Sequence, residues 1–269
     1  MPDTGKLPIG VFDSGVGGLT VVRALMERLP LENIVYFGDT ARVPYGVKSV
    51  ATIEHFTGQI TDHLLEQGVK MLIIACNTMA AVASQVVKQK AGAIPVLDVI
   101  DAGARAAVAE SRSRAIGVIG TPTTINSNAY ARRIHALDPN VRVYSQACPL
   151  FVPLVEEGWL EHEVTRLTAQ EYLKPVLAEN VDTLVLGCTH YPLIKPLLQD
   201  VVGPEVRLVD SAITVAEQAA RTLTGMGIAN DGESLPTYRY TVTDIPLRFQ
   251  TIGERFLGRS LGTVNKVDW

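Results

Sequence analysis

The chain has 269 residues, 47% of them hydrophobic and 19% charged, with a formal net charge of −4. That length buries a substantial core without external staples, and the composition lies far from disordered or fibrous chains. A net negative charge argues against the broad basic face that nucleic acid requires, so nucleic acid is not expected as a partner.

Residues 1–7 hold one lysine and no apolar core of secretory length, and the most apolar run, 71–76, is far too short to span a bilayer. A cytoplasmic protein without a membrane partner is expected. Its three cysteines form no Cys-x-x-Cys pair, so a reducing compartment keeps them as thiols.

Taken in order, Ile9-Gly10-Val11-Phe12 predicts a buried strand, followed by the turn Asp13-Ser14-Gly15-Val16-Gly17-Gly18. The next helix carries an apolar face that includes Leu19, Val22, Leu25 and Met26. A dinucleotide loop would need glycine where Thr20 stands, so these glycines suit the approach of a small anion, such as a carboxylate, to a helix start. Ile34-Val35-Tyr36 predicts a second strand, with Asp39-Thr40-Ala41-Arg42-Val43-Pro44-Tyr45-Gly46 as the loop behind it. A third strand ends at Cys76, and Cys76-Asn77-Thr78 opens a helix that Asn77 or Thr78 could cap. A thiol at a helix start is expected to fall below its ordinary pKa of about 8.5. The fourth strand ends in Val96-Leu97-Asp98.

The series then repeats. Ile116-Gly117-Val118-Ile119 matches the first strand, and Thr121-Pro122-Thr123-Thr124 follows it at the place of Asp13. Val141-Arg142-Val143-Tyr144 matches the second strand. The run from Val181 to Cys188 matches that from Val69 to Cys76, and Cys188-Thr189-His190-Tyr191-Pro192 is read as another helix start. Leu208-Val209-Asp210 closes the set, with Asp98 and Asp210 each 22 residues past its cysteine (98 − 76 and 210 − 188). Cys148 has no equivalent in the first half and is read as buried and inert. A helix then runs from residue 213 through 223, followed by an irregular, partly extended tail including Tyr238-Arg239-Tyr240-Thr241-Val242, expected to pack back on the first half.

Alternating strands and helices predict an α/β fold of two duplicated halves with parallel sheets. The halves are assigned as 1–98 plus 210–269, with Asp13 and Cys76, and 99–209, with Cys188 and His190. Each cysteine falls at the carboxyl end of a strand, the edge where open α/β sheets bind ligands. A zinc site from Cys76, Cys188 and His190 lacks any paired ligand spacing, so no metal is assigned.

Taken together, Val11-Phe12-Asp13-Ser14-Gly15-Val16-Gly17-Gly18, Pro44-Tyr45-Gly46, Ala75-Cys76-Asn77-Thr78 and Gly187-Cys188-Thr189-His190-Tyr191-Pro192 closely resemble the glutamate racemases. The resemblance covers nearly the whole chain. It implies two flavodoxin-like halves enclosing glutamate, and interconversion of its L and D forms without pyridoxal phosphate, metal or nucleotide cofactor. It also implies a supply of D-glutamate for peptidoglycan, and so for the cell wall and cell shape; a homodimer is expected. By matching motif, Cys76 and Cys188 are the two bases, Asp13 assists Cys76, and His190 assists Cys188. Asp13, Ser14, Tyr45, Gly46, Asn77, Thr78, Thr121, Thr124, Thr189 and His190 are expected to contact substrate, with Glu156 near the cleft. The chemistry agrees, because inverting a stereocentre by proton exchange needs a base on one face of the carbon and an acid on the other.

The nearest alternative is an aspartate or hydantoin racemase of the same two-cysteine class. Thr189-His190-Tyr191-Pro192 and Pro44-Tyr45-Gly46 favour glutamate. From a different class, the alternative is a binding protein with a secondary gyrase-inhibiting role.

Overall fold

A computed structural model describes residues 4–269, so the first three residues of the stretch read for a leader lie outside the described residues. The first half runs β1 (Ile9–Asp13), α1 (Leu19–Arg28), β2 (Ile34–Gly38), α2 (Val50–Glu66), β3 (Met71–Ile74), α3 (Asn77–Ala91), β4 (Val96–Asp98) and α4 (Val99–Glu110). The second runs β5 (Ala115–Gly120), α5 (Pro122–Asn126), α6 (Ala129–Leu137), β6 (Arg142–Ala147), α7 (Phe151–Glu156), α8 (Glu163–Leu177), β7 (Thr183–Gly187), α9 (Lys195–Val202) and β8 (Arg207–Asp210). The chain ends with α10 (Ser211–Met226), β9 (Tyr238–Val242), α11 (Pro246–Leu257) and β10 (Val264–Lys266).

Two sheets result, ordered β10-β9-β2-β1-β3-β4 and β6-β5-β7-β8, and every pair of neighbours is parallel. The repeated core orders β2-β1-β3-β4 and β6-β5-β7-β8 are the same. Central strands β1, β3, β5 and β7 are buried along their whole length, which explains why they read as unbroken apolar runs rather than as alternating ones. β9 pairs with β2, so the end of the chain widens the first sheet.

The last helix of each half crosses to the other. α4 follows β4 yet packs on α6, β7 and β8; α10 follows β8 yet packs on α1 and β4. Asp98 and Asp210 start these helices alike, each accepting a hydrogen bond from a backbone N–H of the first turn. Where α4 meets α10, a Cβ on Gly103 would stand 2.4 Å from Ser211 Oγ, so glycine is what lets the two approach.

The tail differs from the irregular segment expected. α11 is a regular helix with Pro246 in its first turn, burying Phe249, Gly253, Phe256 and Leu257. Their spacing of four, seven and eight residues is the helical signal that could have found it.

Candidate active site

The turns after β1, β3, β5 and β7 meet where the halves face each other. Asp13, the last residue of β1, is buried; its Oδ1 accepts from Gly15 N at 2.8 Å and its Oδ2 from the Thr189 hydroxyl at 3.3 Å. Burial raises its carboxyl above the ordinary range, while the charge of His190 and the N–H groups of Gly15 and Gly18 act in the other direction.

Cys76 sits at the N-cap of α3 without a side-chain cap, and its thiol lies 3.6 Å from Ser14 Oγ as donor. A helix start alone predicts a pKa below normal, and the structure reverses this. Burial, followed by the negative charge of Asp13, pushes the Cys76 thiol up to about 12. Desolvation here outweighs the favourable end of the helix. The expected caps also fail, because Asn77 and Thr78 are the first helical residues and their side chains are engaged elsewhere. Asn77 Oδ1 accepts from the Tyr130 hydroxyl at 2.7 Å, and Thr78 Oγ1 lies 3.0 Å from Thr121 Oγ1 and 3.4 Å from Thr124 Oγ1.

Cys188 does not open a helix directly: a short 3-10 helix, Tyr191–Ile194, with Pro192 in its first turn, precedes α9. Cys188 Sγ is 3.8 Å from His190 Nδ1, and His190 Nε2 is 3.0 Å from Glu156 Oε1. Burial opposes a charged imidazole, but contact with Cys188 and Glu156 outweighs it and raises His190 to about 10. Glu156 shows the reciprocal effect, its carboxyl held below the usual range by the bond to His190. Arg255 of α11 donates to the Glu156 carbonyl at 3.1 Å, and the Phe256 ring stands edge-on to His190 at 5.1 Å.

Gly17 lets the two halves meet at this point. A Cβ there would stand 2.2 Å from Thr189 Oγ1 and 2.6 Å from His190 Nδ1, so Gly17→Ala must displace both groups. We expect it to lower stability by about 1–3 kcal/mol, the usual range for overpacking, and to reduce kcat/KM as well. Thermal melts and initial rates on the same preparation check both.

Thr78, Thr121 and Thr124 form a hydroxyl triangle beside Gly46, whose carbonyl accepts from Thr123 at 2.7 Å. The buried Tyr45 hydroxyl bonds Asp39 instead of facing this group, at the start of the short helix Tyr45–Val47. Cys148 is buried and its thiol bonds the Gln146 carbonyl. Among the described residues no group of three or more His, Cys, Asp or Glu side chains could hold a metal ion. The motifs do not point to Tyr130, Ser211 or Asp39. Only Tyr130 carried a signal, since duplication makes its helix α6 the equivalent of α1.

Two sheets presenting paired strand-end thiols, each beside a proton-handling neighbour, form the kind of site an isomerase working at one carbon requires. Residues 19–219 match the family Asp/Glu/Hydantoin racemase. The glutamate racemase of Syntrophus aciditrophicus is 70% identical over 260 residues, covering 97% of this chain and 96% of that one. That of Neisseria meningitidis serogroup A is 65% identical with the same coverage. Among solved structures, glutamate racemase from Francisella tularensis in complex with D-glutamate superposes with a TM-score of 0.93 at 46% identity, covering 98% of each chain. The chain belongs to the Asp/Glu/hydantoin racemase family and, within it, to the glutamate racemases.

Proposed function

We propose that the protein interconverts L- and D-glutamate by proton transfer between Cys76 and Cys188, with the α-carbon held between them. The observation that carries this reading is the unlike treatment of two equivalent thiols: one is kept protonated beside Asp13 and Ser14, and the other faces His190 and Glu156. A protonated His190 favours negative charge on Cys188 Sγ. The Cys188 thiolate removes the α-proton, the electron pair is left on the α-carbon and its carboxylate, and the Cys76 thiol delivers its proton to the other face. The site then holds a Cys76 thiolate and a Cys188 thiol, ready for the reverse direction. The side chains of Ser14, Asn77 and Thr78, with Thr189 once it leaves Asp13, supply donors for the substrate carboxylates and the developing charge.

In this reading residues 1–98 plus 210–269 and residues 99–209 act as two domains, and Ser14, Tyr45, Gly46, Thr121 and Thr124 complete the substrate contacts. The product serves peptidoglycan synthesis in the cytoplasm, with the enzyme as a homodimer. Among the described residues no helix is long and apolar enough to cross a membrane.

Loss of optical rotation measured with a panel of L-amino acids tests the substrate. Glutamate should be racemised without added cofactor and after exhaustive chelation. Aspartate, one methylene shorter, cannot reach both sets of donors and should show kcat/KM lower by about 100-fold or more. Equal values for the two would move the protein to the aspartate branch, and zinc-dependent recovery of activity would overturn the two-thiol mechanism.

A further inference from the structure

We infer that Tyr130, on α6 of the second half, is a positioning residue that orients the Asn77 amide of the first half so that its N–H2 group faces a ligand. The inference rests on the reading of Asn77 as a substrate contact. Tyr130 is buried, and burial drives its phenol far above the ordinary range, so its hydroxyl keeps its one proton. That proton goes to Asn77 Oδ1 at 2.7 Å. Ser211 Oγ, 3.2 Å from the same hydroxyl, must then be the donor of the second contact, giving a chain that runs from Ser211 through Tyr130 to Asn77.

In this polarity the nitrogen is the free end of the amide. With Oδ1 committed, Nδ2 is the remaining polar atom of the side chain, and no hydrogen bond among the described residues uses it. Asn77 borders a narrow cavity of about 10 Å³ together with Cys188, Thr189 and Thr20. An amide that rotated by half a turn would present an acceptor to a carboxylate and repel it. Tyr130, donating to Oδ1 and receiving from Ser211, selects the orientation in which Asn77 offers its N–H2 group, at the residue next to Cys76.

The duplication supplies an independent argument. α1 occupies in the first half the place that α6 occupies in the second, and its Thr20 hydroxyl shares its proton between the Gly17 carbonyl at 2.9 Å and the Thr189 carbonyl at 3.1 Å. Each half thus sends a helix hydroxyl to the residue that follows the other half's cysteine. The two contacts differ in what they hold, since Thr20 grips backbone and Tyr130 grips a side chain that has two unlike ends.

A double-mutant cycle tests this. Tyr130→Phe removes only the hydroxyl and should lower kcat/KM for glutamate about 10-fold, mostly through KM; Asn77→Ala should lower it further. In the Asn77→Ala background, Tyr130→Phe should have no additional effect, which a purely structural role would not produce. Undiminished activity in Tyr130→Phe, or losses that multiply in the double variant, would overturn the positioning role while leaving the Asn77 reading intact. Full activity in Asn77→Ala would instead remove the substrate contact on which the inference stands. Should Tyr130→Phe fail to fold, Ser211→Ala removes the donor behind Tyr130 but keeps its ring, and the same cycle applies with an expected loss of about 3-fold.

Discussion

Replacing either Cys76 or Cys188 with serine should lower the rate of glutamate racemisation by about 10⁴-fold or more, the upper range for loss of a positioned acid or base. The change is small in volume and both positions are buried, so the fold should survive. Chemically it is severe, because an alcohol is far too weakly acidic to supply the base near neutral pH. The surviving thiol should still act on its own face. Cys188→Ser keeps Cys76, so a D-substrate carrying a β-leaving group should lose its α-proton to Cys76 and expel that group with the electron pair. Cys76→Ser should process the L-enantiomer instead. Elimination followed by chiral chromatography of residual substrate distinguishes them; if both variants consumed the same enantiomer, the assignment of one thiol to each face would fail.

A second large effect is expected from His190→Asn, on both rate and stability. Asparagine cannot carry the charge that His190 places beside Cys188, and the loss in kcat should be about 100-fold, greater from L-glutamate than from D-glutamate. For stability, His190 binds its proton more tightly when folded, near 10 against an ordinary 6.5. Its contribution is therefore fully present below about pH 6.5 and is lost as pH rises through about 10. The difference in Tm between the parent and His190→Asn should shrink across that window. A constant difference from pH 6.5 to 10 would show that the imidazole is not held charged by Cys188 and Glu156.

Much of this architecture was legible because duplication leaves marks that single strands do not. Asp98 and Asp210, each 22 residues past a cysteine (98 − 76 and 210 − 188), fixed the equivalence of the two halves. The pKa direction of Cys76 was not legible, because it depends on burial and on Asp13 arriving from another strand, and local helix chemistry pointed the other way. Asn77 illustrates the same limit. Alone it is a good capping residue, but Tyr130, which is 53 residues away, takes its oxygen. α11 was legible in principle, since Phe249, Gly253, Phe256 and Leu257 recur at helical spacing on its buried face.

The exchange of α4 and α10 makes the two halves partners of an intertwined pair rather than beads on a string. α4 meets α6 and β8 as α10 meets α1 and β4, a reciprocal exchange in which α4 and α10 also pack on each other. A fragment cut after α4 would lose α10, which packs on α1 and β4, whereas the division into 1–98 plus 210–269 and 99–209 keeps each crossing helix with the sheet it covers. A scaffold with this symmetry suits a reaction whose substrate and product are mirror images of equal free energy. Any kinetic bias between the enantiomers must then originate where the symmetry is broken, at His190 and Glu156 on one side and Asp13 and Ser14 on the other.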